Sequence, residues 1–216
     1  MTITERRPPL KLGEPAPDFT LPAIDREGTV SLADYRGRSP LLLAIFRGLY
    51  CPLCRRAIAL LGLSRAKLQG AGVESLGIIA TKPEHARLYF RFKPTRLPLA
   101  ADPDMTMHQA YGLPMPALTP EFSQALDPLR FNPTGELPEP LPLLEAVHAL
   151  DRLHGFEPNE NYRQEAQRQF PQRAGEFLVD RDGIIRWVYI ETAKDGWASL
   201  GKFPTEGELL AAARAL

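Results

Sequence analysis

Strands alternating with helices along most of its length place this 216-residue chain in the α/β class. Three observations carry that prediction. The apolar run Leu41–Phe46 has the length of a strand covered on both faces, and an amphipathic stretch from Pro52 to Gly70 follows it closely. Two further strand-like runs, Val73–Ala80 and Leu97–Ala101, flank another helical stretch. Near the end, an Asp-Gly turn joins two apolar segments into a hairpin ahead of a last helix. Such an order predicts a sheet with a parallel core.

Residues 1–12 carry no periodic pattern and are expected to form a mobile N-terminal arm. Gly13 to Leu21 is a proline-punctuated entry into a short strand. Asp25-Arg-Glu-Gly28 is a turn, and Thr29-Val-Ser-Leu32 a second short strand in which Ser31 can cap the turn LADYRG. After the Leu41–Phe46 strand, Leu53, Ala57, Leu60, Leu61 and Leu68 fall on one helical stripe. Pro52 suits the first helical position, where a missing N–H is harmless, and Gly70 is a natural stop. Thr81-Lys-Pro-Glu84 reads as a capping box for the helix EHARLYFRF, which must end near Lys93 ahead of Pro94. Asp104 opens a short helix through Tyr111, closed by Gly112.

At Pro114 the texture changes. Ten of the chain's 22 prolines lie between there and Pro171, and strand signals vanish. Leu143, Val147, Leu150 and His154 have helical spacing after Pro142, and Asn159–Phe170 forms a second, charge-rich helical stretch. Residues 114–172 are therefore expected to be a proline-rich helical insertion within a domain built from residues 13–113 and 173–216. As a loop-rich addition it suits a lid, a homodimer interface or a docking surface for a reductant. Order returns with Glu176–Asp180, the turn Arg181-Asp-Gly183, the strand Ile184–Glu191, and a final helix capped by Thr205-x-x-Glu208.

Twenty-six basic and 26 acidic side chains cancel, which gives no sign of a nucleic-acid or membrane surface. There is no apolar leader and no run long enough to span a bilayer, so a cytoplasmic location is expected. The two cysteines sit three apart, whereas a secreted disulfide scaffold spreads its cysteines to clip distant loops.

Those cysteines are the chemistry of the chain. The strand-to-helix junction puts Cys51 at the helix N-cap and Cys54 one turn in, facing free backbone N–H groups and the positive end of the helix dipole. Both favour thiolate over thiol. Arg47, Arg55 and Arg56 add positive charge nearby, although their pattern reads more simply as a solvated face. A zinc site would need about four ligands, and beyond the cysteines only His85, His108, His148 and His154 are on offer, with no second CxxC. A copper carrier would have to draw on His108. His148 and His154, six apart, do not share a helix face. Thr81 and His85 read as helix-start residues, and Tyr50, Trp187 and Trp197 as packing.

The whole order, with CxxC at the mouth of the first main helix and a hairpin then a helix at the end, resembles a thioredoxin-like fold, and in detail the peroxiredoxin-like AhpC/TSA-type proteins. Gly13-x-x-Ala16-Pro-Asp-Phe19 matches that family's opening, and Leu32-x-Asp-Tyr-Arg-Gly37 the segment before its central strand. Phe46-Arg-Gly-x-Tyr-Cys-Pro-x-Cys54 is similar to the signature of its peroxiredoxin-like members, and Phe177-Leu-Val-Asp-Arg-Asp-Gly-Ile184 to its hairpin. The resemblance leaves residues 114–172 uncovered. It implies a thiol-dependent oxidoreductase that reduces hydroperoxides, with Cys51 attacking, Cys54 resolving, and Arg173 nearest to the family's conserved arginine. It calls for no cofactor, only an external thiol reductant such as a thioredoxin-like or glutathione system. Two family positions differ: Ala44 stands where peroxiredoxins carry proline, and Gly48 where they carry the Thr or Ser that helps hold the peroxide. Ala174 stands where thioredoxins carry a cis-proline. A thioredoxin- or glutaredoxin-type disulfide reductase, and a non-catalytic redox sensor or metal carrier, are the alternative readings.

Overall fold

The computed structural model describes residues 7–216. Its centre is a five-stranded sheet in the order β5-β4-β3-β6-β7. The parallel half is β3 (Leu41–Phe46), β4 (Glu74–Ile79) and β5 (Leu99–Ala101); the antiparallel half adds β6 (Gly175–Val179) and β7 (Ile185–Ile190). Every residue of β3 is buried, because both faces of this central strand are covered. Leu42, Ala44 and Phe46 face a core shared with the cysteines, and Leu41, Leu43 and Ile45 face a second core on the other side. A separate two-stranded ribbon pairs β1 (Thr20–Pro22) with β2 (Thr29–Ser31). In the short turn after it, Ser31 donates its N–H to the Asp34 carboxylate at 2.7 Å.

Helix α1 (Pro52–Gly70) lies against the cysteine-side core, with Leu53, Ala57, Ile58, Leu61 and Leu68 buried. Leu60, expected on that stripe, is instead 45% exposed at its edge. Helix α2 (Pro83–Phe92) starts from Lys82 without a side-chain cap, so the capping box expected from Thr81 and Glu84 does not form. Thr81 is drawn inward instead: its hydroxyl accepts the Leu49 N–H at 3.0 Å and donates to Glu165 at 2.9 Å. Helix α3 (Thr106–Ala110) is short, and the Asp102 carboxylate accepts the N–H groups of Thr106 and Met107.

Residues 114–172 carry α4 (Pro120–Leu126), α5 (Leu143–Leu153) and α6 (Glu160–Gln169). No helix was expected over α4, which Thr119 caps by accepting the Phe122 N–H. Phe131, Leu137, Ala146 and Leu150 from this segment join the same core as Cys51 and Cys54, so it packs onto the domain. A cis Phe170–Pro171 peptide leads back to the sheet. The Asp180–Gly183 turn forms as its residues predict, and α7 (Glu206–Arg214) begins with the Thr205–Glu208 capping box. The expected mobile arm needs correction where it is described. Leu10 is buried in the second core and donates its N–H to Tyr111 O, while Pro8 crowds Gly112. Residues 1–6 lie outside the described residues.

Candidate active site

The turn after β3 delivers Cys51 to the N-cap of α1 with an extended backbone, and Pro52 opens the helix. Its sulfur accepts the Cys54 N–H at 3.3 Å, one of the amides a helix start leaves unpaired. Cys51 is 6% exposed and Cys54 fully buried. Both are free thiols.

Burial pushes the Cys51 pKa up, but the hydrogen bonds from the Cys54 thiol and amide, together with the charge and hydrogen bond of Arg47, outweigh it. The net result is a pKa lowered from 9.0 to about 6. Cys54 moves the other way: burial and the neighbouring Cys51 sulfur hold it well above its ordinary value. The pair is thus divided into one thiolate and one thiol at neutral pH. That division is what a nucleophile with a resolving partner requires.

The cation responsible is Arg47, the residue immediately after β3. The sequence pattern assigned it to a solvated face, yet it is buried and paired with the fully buried Glu191 at 2.5 Å and 3.2 Å. Arg47 also donates to the Gln172 carbonyl at 2.9 Å. Glu191 accepts two backbone N–H groups, from Ala174 at 3.1 Å and Gly201 at 2.6 Å. Gly201 has φ +73°, and a Cβ there would come within 2.3 Å of Leu53, so glycine alone lets this amide approach. Burial works against the charge on Arg47, but Cys51 and Glu191 more than compensate and hold its pKa well above the ordinary arginine value.

Arg173 is buried as well. Its guanidinium donates to Thr192 Oγ1 at 3.2 Å and the Pro171 carbonyl at 3.0 Å, and lies 5.2 Å from the Trp197 ring centroid. Burial lowers its pKa, Glu191 raises it and Arg47 lowers it again, so it stands within electrostatic range of the Arg47–Glu191 pair. The guanidinium that acts on the Cys51 sulfur is that of Arg47.

Arg55 also leaves the expected solvated face. It is buried against Asp151 of α5 at 2.5 Å, donates to the Leu49 carbonyl at 2.7 Å, and stacks 3.7 Å over the Phe156 ring. Only Arg56 is partly exposed, paired with Glu136 at 2.9 Å. Around Gly48, α6 closes in. The Gly48 N–H donates to Gln169 Oε1 at 2.7 Å, and a Cβ at Gly48 would stand 2.7 Å from Glu165 Oε2 and 3.0 Å from Gln169 Oε1. The place of a Thr or Ser side chain is filled by α6. Tyr50 packs beside the cysteines, where burial drives its pKa well above 10. His85 contacts Asn161 and His154 contacts Glu136, and among the described residues no group of three or more His, Cys, Asp or Glu could hold a metal ion.

The AhpC/TSA family pattern matches residues 12–188. The chain belongs to the AhpC/TSA family. A Mycobacterium tuberculosis protein that bears a peroxiredoxin name is 34% identical over 112 residues, 52% of this chain and 68% of that one. Peroxiredoxin Bcp of Escherichia coli is 31% identical over 105 residues, 49% of this chain and 66% of that one. Among solved structures, peroxidoxin BcpB of Mycobacterium tuberculosis has the same fold. It aligns with a TM-score of 0.59 at 14% identity, over 96% of this chain and 98% of that one. As an AhpC/TSA member with a thioredoxin-like fold, the protein is a thiol-dependent oxidoreductase of the peroxiredoxin type.

Proposed function

We propose that the protein reduces small hydroperoxides, with Cys51 as nucleophile, Cys54 as resolving thiol and Arg47 as the cation that keeps Cys51 ionised. The observation that supports this most directly is the geometry at the start of α1, where the N-cap Cys51 sulfur accepts the Cys54 N–H at 3.3 Å and the second sulfur lies within the first turn, an arrangement that with Arg47 lowers the Cys51 pKa while burial raises that of Cys54. The Cys51 thiolate attacks the terminal peroxide oxygen and the O–O bond breaks. The leaving alkoxide takes a proton from solvent to become an alcohol, or water when the substrate is hydrogen peroxide. Cys51 is then a sulfenic acid, oxidised by two electrons. Cys54 attacks that sulfur, its thiol proton leaves with the hydroxyl as water, and a Cys51–Cys54 disulfide remains. Two electrons from an external dithiol, or from two monothiols, restore the starting pair.

Burial argues for a small substrate. With 6% of Cys51 and none of Cys54 exposed, a peroxide can reach the sulfur while a protein disulfide needs more of Cys51 uncovered. Arg173 has a supporting place in this reading, as a positioning residue whose charge acts through Glu191. The reductant is a thioredoxin-like or glutathione system, and the insertion is the surface on which it, or a second copy of the chain, would dock.

The test is peroxide consumption by the reduced protein beside its Cys51→Ser and Cys54→Ser variants, with thiols counted before and after. One dithiol lost per peroxide in the wild type and a trappable sulfenic acid in Cys54→Ser support the assignment. Inertness to peroxide, with rapid oxidation of the same pair by a low-molecular-weight disulfide, would replace it with a disulfide reductase.

A further inference from the structure

Glu176 is the least expected side chain in the core. It sits mid-strand in β6, paired across to Ala44 of β3 and Tyr189 of β7. Leu178, two residues on and on the same face, is part of the apolar core. Glu176 is 3% exposed, and its Oε2 is buried with no hydrogen-bond partner among the described residues. A lone buried carboxyl at a position that suits leucine works against folding unless something engages it.

That carboxyl lines a cavity of about 780 Å³ between α1, β6, β7 and the start of α7. Its size falls within the range of about 300–1,000 Å³ usual for small-molecule sites. Leu53, Ala57 and Leu61 of α1, with Phe203 and Leu209, line the apolar part. Leu60 and Leu63, 45% and 64% exposed, form an apolar lip. The charged and titratable groups that share the cavity with Glu176 are Arg56 on α1, Tyr189 on β7, Asp195, Lys202, and Glu206 and Glu208 on α7. Arg56 is occupied by Glu136, Glu206 by Lys67, and Glu208 by the α7 cap. Counted by charge, the lining holds Asp195, Glu206 and Glu208 against Arg56 and Lys202, an acidic surplus of one at the end of an apolar space before Glu176 ionises.

We propose that this cavity is a binding site for a small amphipathic cation, an organic ammonium with an apolar body, whose charge pairs with Glu176. An ammonium in the cavity pairs with the Glu176 carboxylate and offsets the repulsion from Glu208. Its hydrocarbon part replaces water along the α1 wall. An anion meets the acidic surplus and is excluded. Without a ligand, burial and then Glu208 raise the Glu176 pKa to about 8, so the carboxyl is mostly protonated at neutral pH and must release its proton to pair with the cation. The site is separate from the thiol chemistry, although Leu53, between the two cysteines, forms part of its wall.

The test is calorimetric titration of the reduced full-length protein with hexylamine, 4-phenylbutylamine and tryptamine, beside N-acetyl-4-phenylbutylamine and 4-phenylbutyrate. One amine per chain is expected, with the acetylated and anionic analogues at least ~10-fold weaker. Affinity should fall ~10-fold from pH 9 to pH 7, because a group of pKa about 8 is ~90% ionised at the first and ~10% at the second. Proton release at pH 7, read from wild-type titrations in two buffers of different ionisation enthalpy, needs no variant. Glu176→Gln should abolish both the tight binding and its pH dependence. Failure of all three amines to bind, equal binding of the acetylated analogue, or amine binding without proton release at pH 7 would overturn the proposal.

Discussion

Replacing Arg47 by methionine keeps a flexible chain of similar length and removes the guanidinium that holds the Cys51 thiolate. The drop from 9.0 to about 6 corresponds to ~4 kcal/mol of preference for the ionised sulfur, at ~1.36 kcal/mol per pH unit. Arg47 acts twice in that balance, by charge and by hydrogen bond, while burial opposes it. Without Arg47, the Cys54 contacts alone must offset burial, and Cys51 should titrate ~2 units higher. At pH 7 the thiolate fraction would then fall from ~90% to ~10%. A single-pH alkylation rate would hide this loss, because a thiolate of higher pKa is intrinsically more nucleophilic, by ~10-fold for ~2 units. The assay is therefore the full pH profile of thiolate absorbance. The single variant also strands Glu191, fully buried, which typically costs ~3–5 kcal/mol. The double variant Arg47→Met/Glu191→Gln removes that uncompensated charge and should show the same Cys51 shift. A transition that stays near 6 in both proteins would refute the role given to Arg47.

Cys54→Ala should raise the Cys51 pKa because it removes the thiol hydrogen bond, whereas Cys54→Ser, which keeps a donor, should raise it less; the same absorbance titration separates them. Gly48→Thr should destabilise the protein by ~1–3 kcal/mol in chemical denaturation, since its Cβ runs into Glu165 and Gln169, and Gln169→Ala together with Glu165→Ala should recover part of the loss. The pH dependence of stability has a defined sign. A folded pKa of about 6 against 9.0 unfolded stabilises the reduced protein fully above pH 9, and that contribution is lost as pH falls toward 6. Glu176 opposes it, because its raised pKa removes stability as pH rises from 4.5 to about 8. The Cys51 part is isolated as the difference between wild type and Cys51→Ser, which should widen by ~3 kcal/mol from pH 6 to pH 9.

The scaffold was legible because its signals are local. A six-residue apolar run, a Pro at the first helical position, an Asp-Gly turn and a Thr-x-x-Glu box each specify their element within a few residues, and β3, α1, the hairpin and α7 follow from them. The cysteine pair was legible for the same reason. The groups around it were not, because each depends on contacts distant in sequence. Arg47 reads as one of three arginines until β7 brings Glu191 beside it, 144 residues away. Thr81 reads as a helix cap until Glu165, 84 residues on, claims its hydroxyl. For the Arg47–Glu191 pair one local clue was present. Arg47 directly follows an all-apolar central strand and Glu191 directly follows β7, so charges at the ends of buried strands are candidates for pairing across the sheet.

The insertion acts at this same level. It reaches the cysteine turn through three buried polar contacts: Asp151 on Arg55, the Gln172 carbonyl on Arg47, and Gln169 on the Gly48 amide. A surface lid would meet the domain through exposed, interchangeable contacts. These are buried, and breaking the Asp151–Arg55 pair would leave an unpaired charge in the core. At position 48 the chain has no hydroxyl, and the place of one is filled by Gln169 and Glu165 of α6. Residues 114–172 therefore form part of the wall around the cysteine turn.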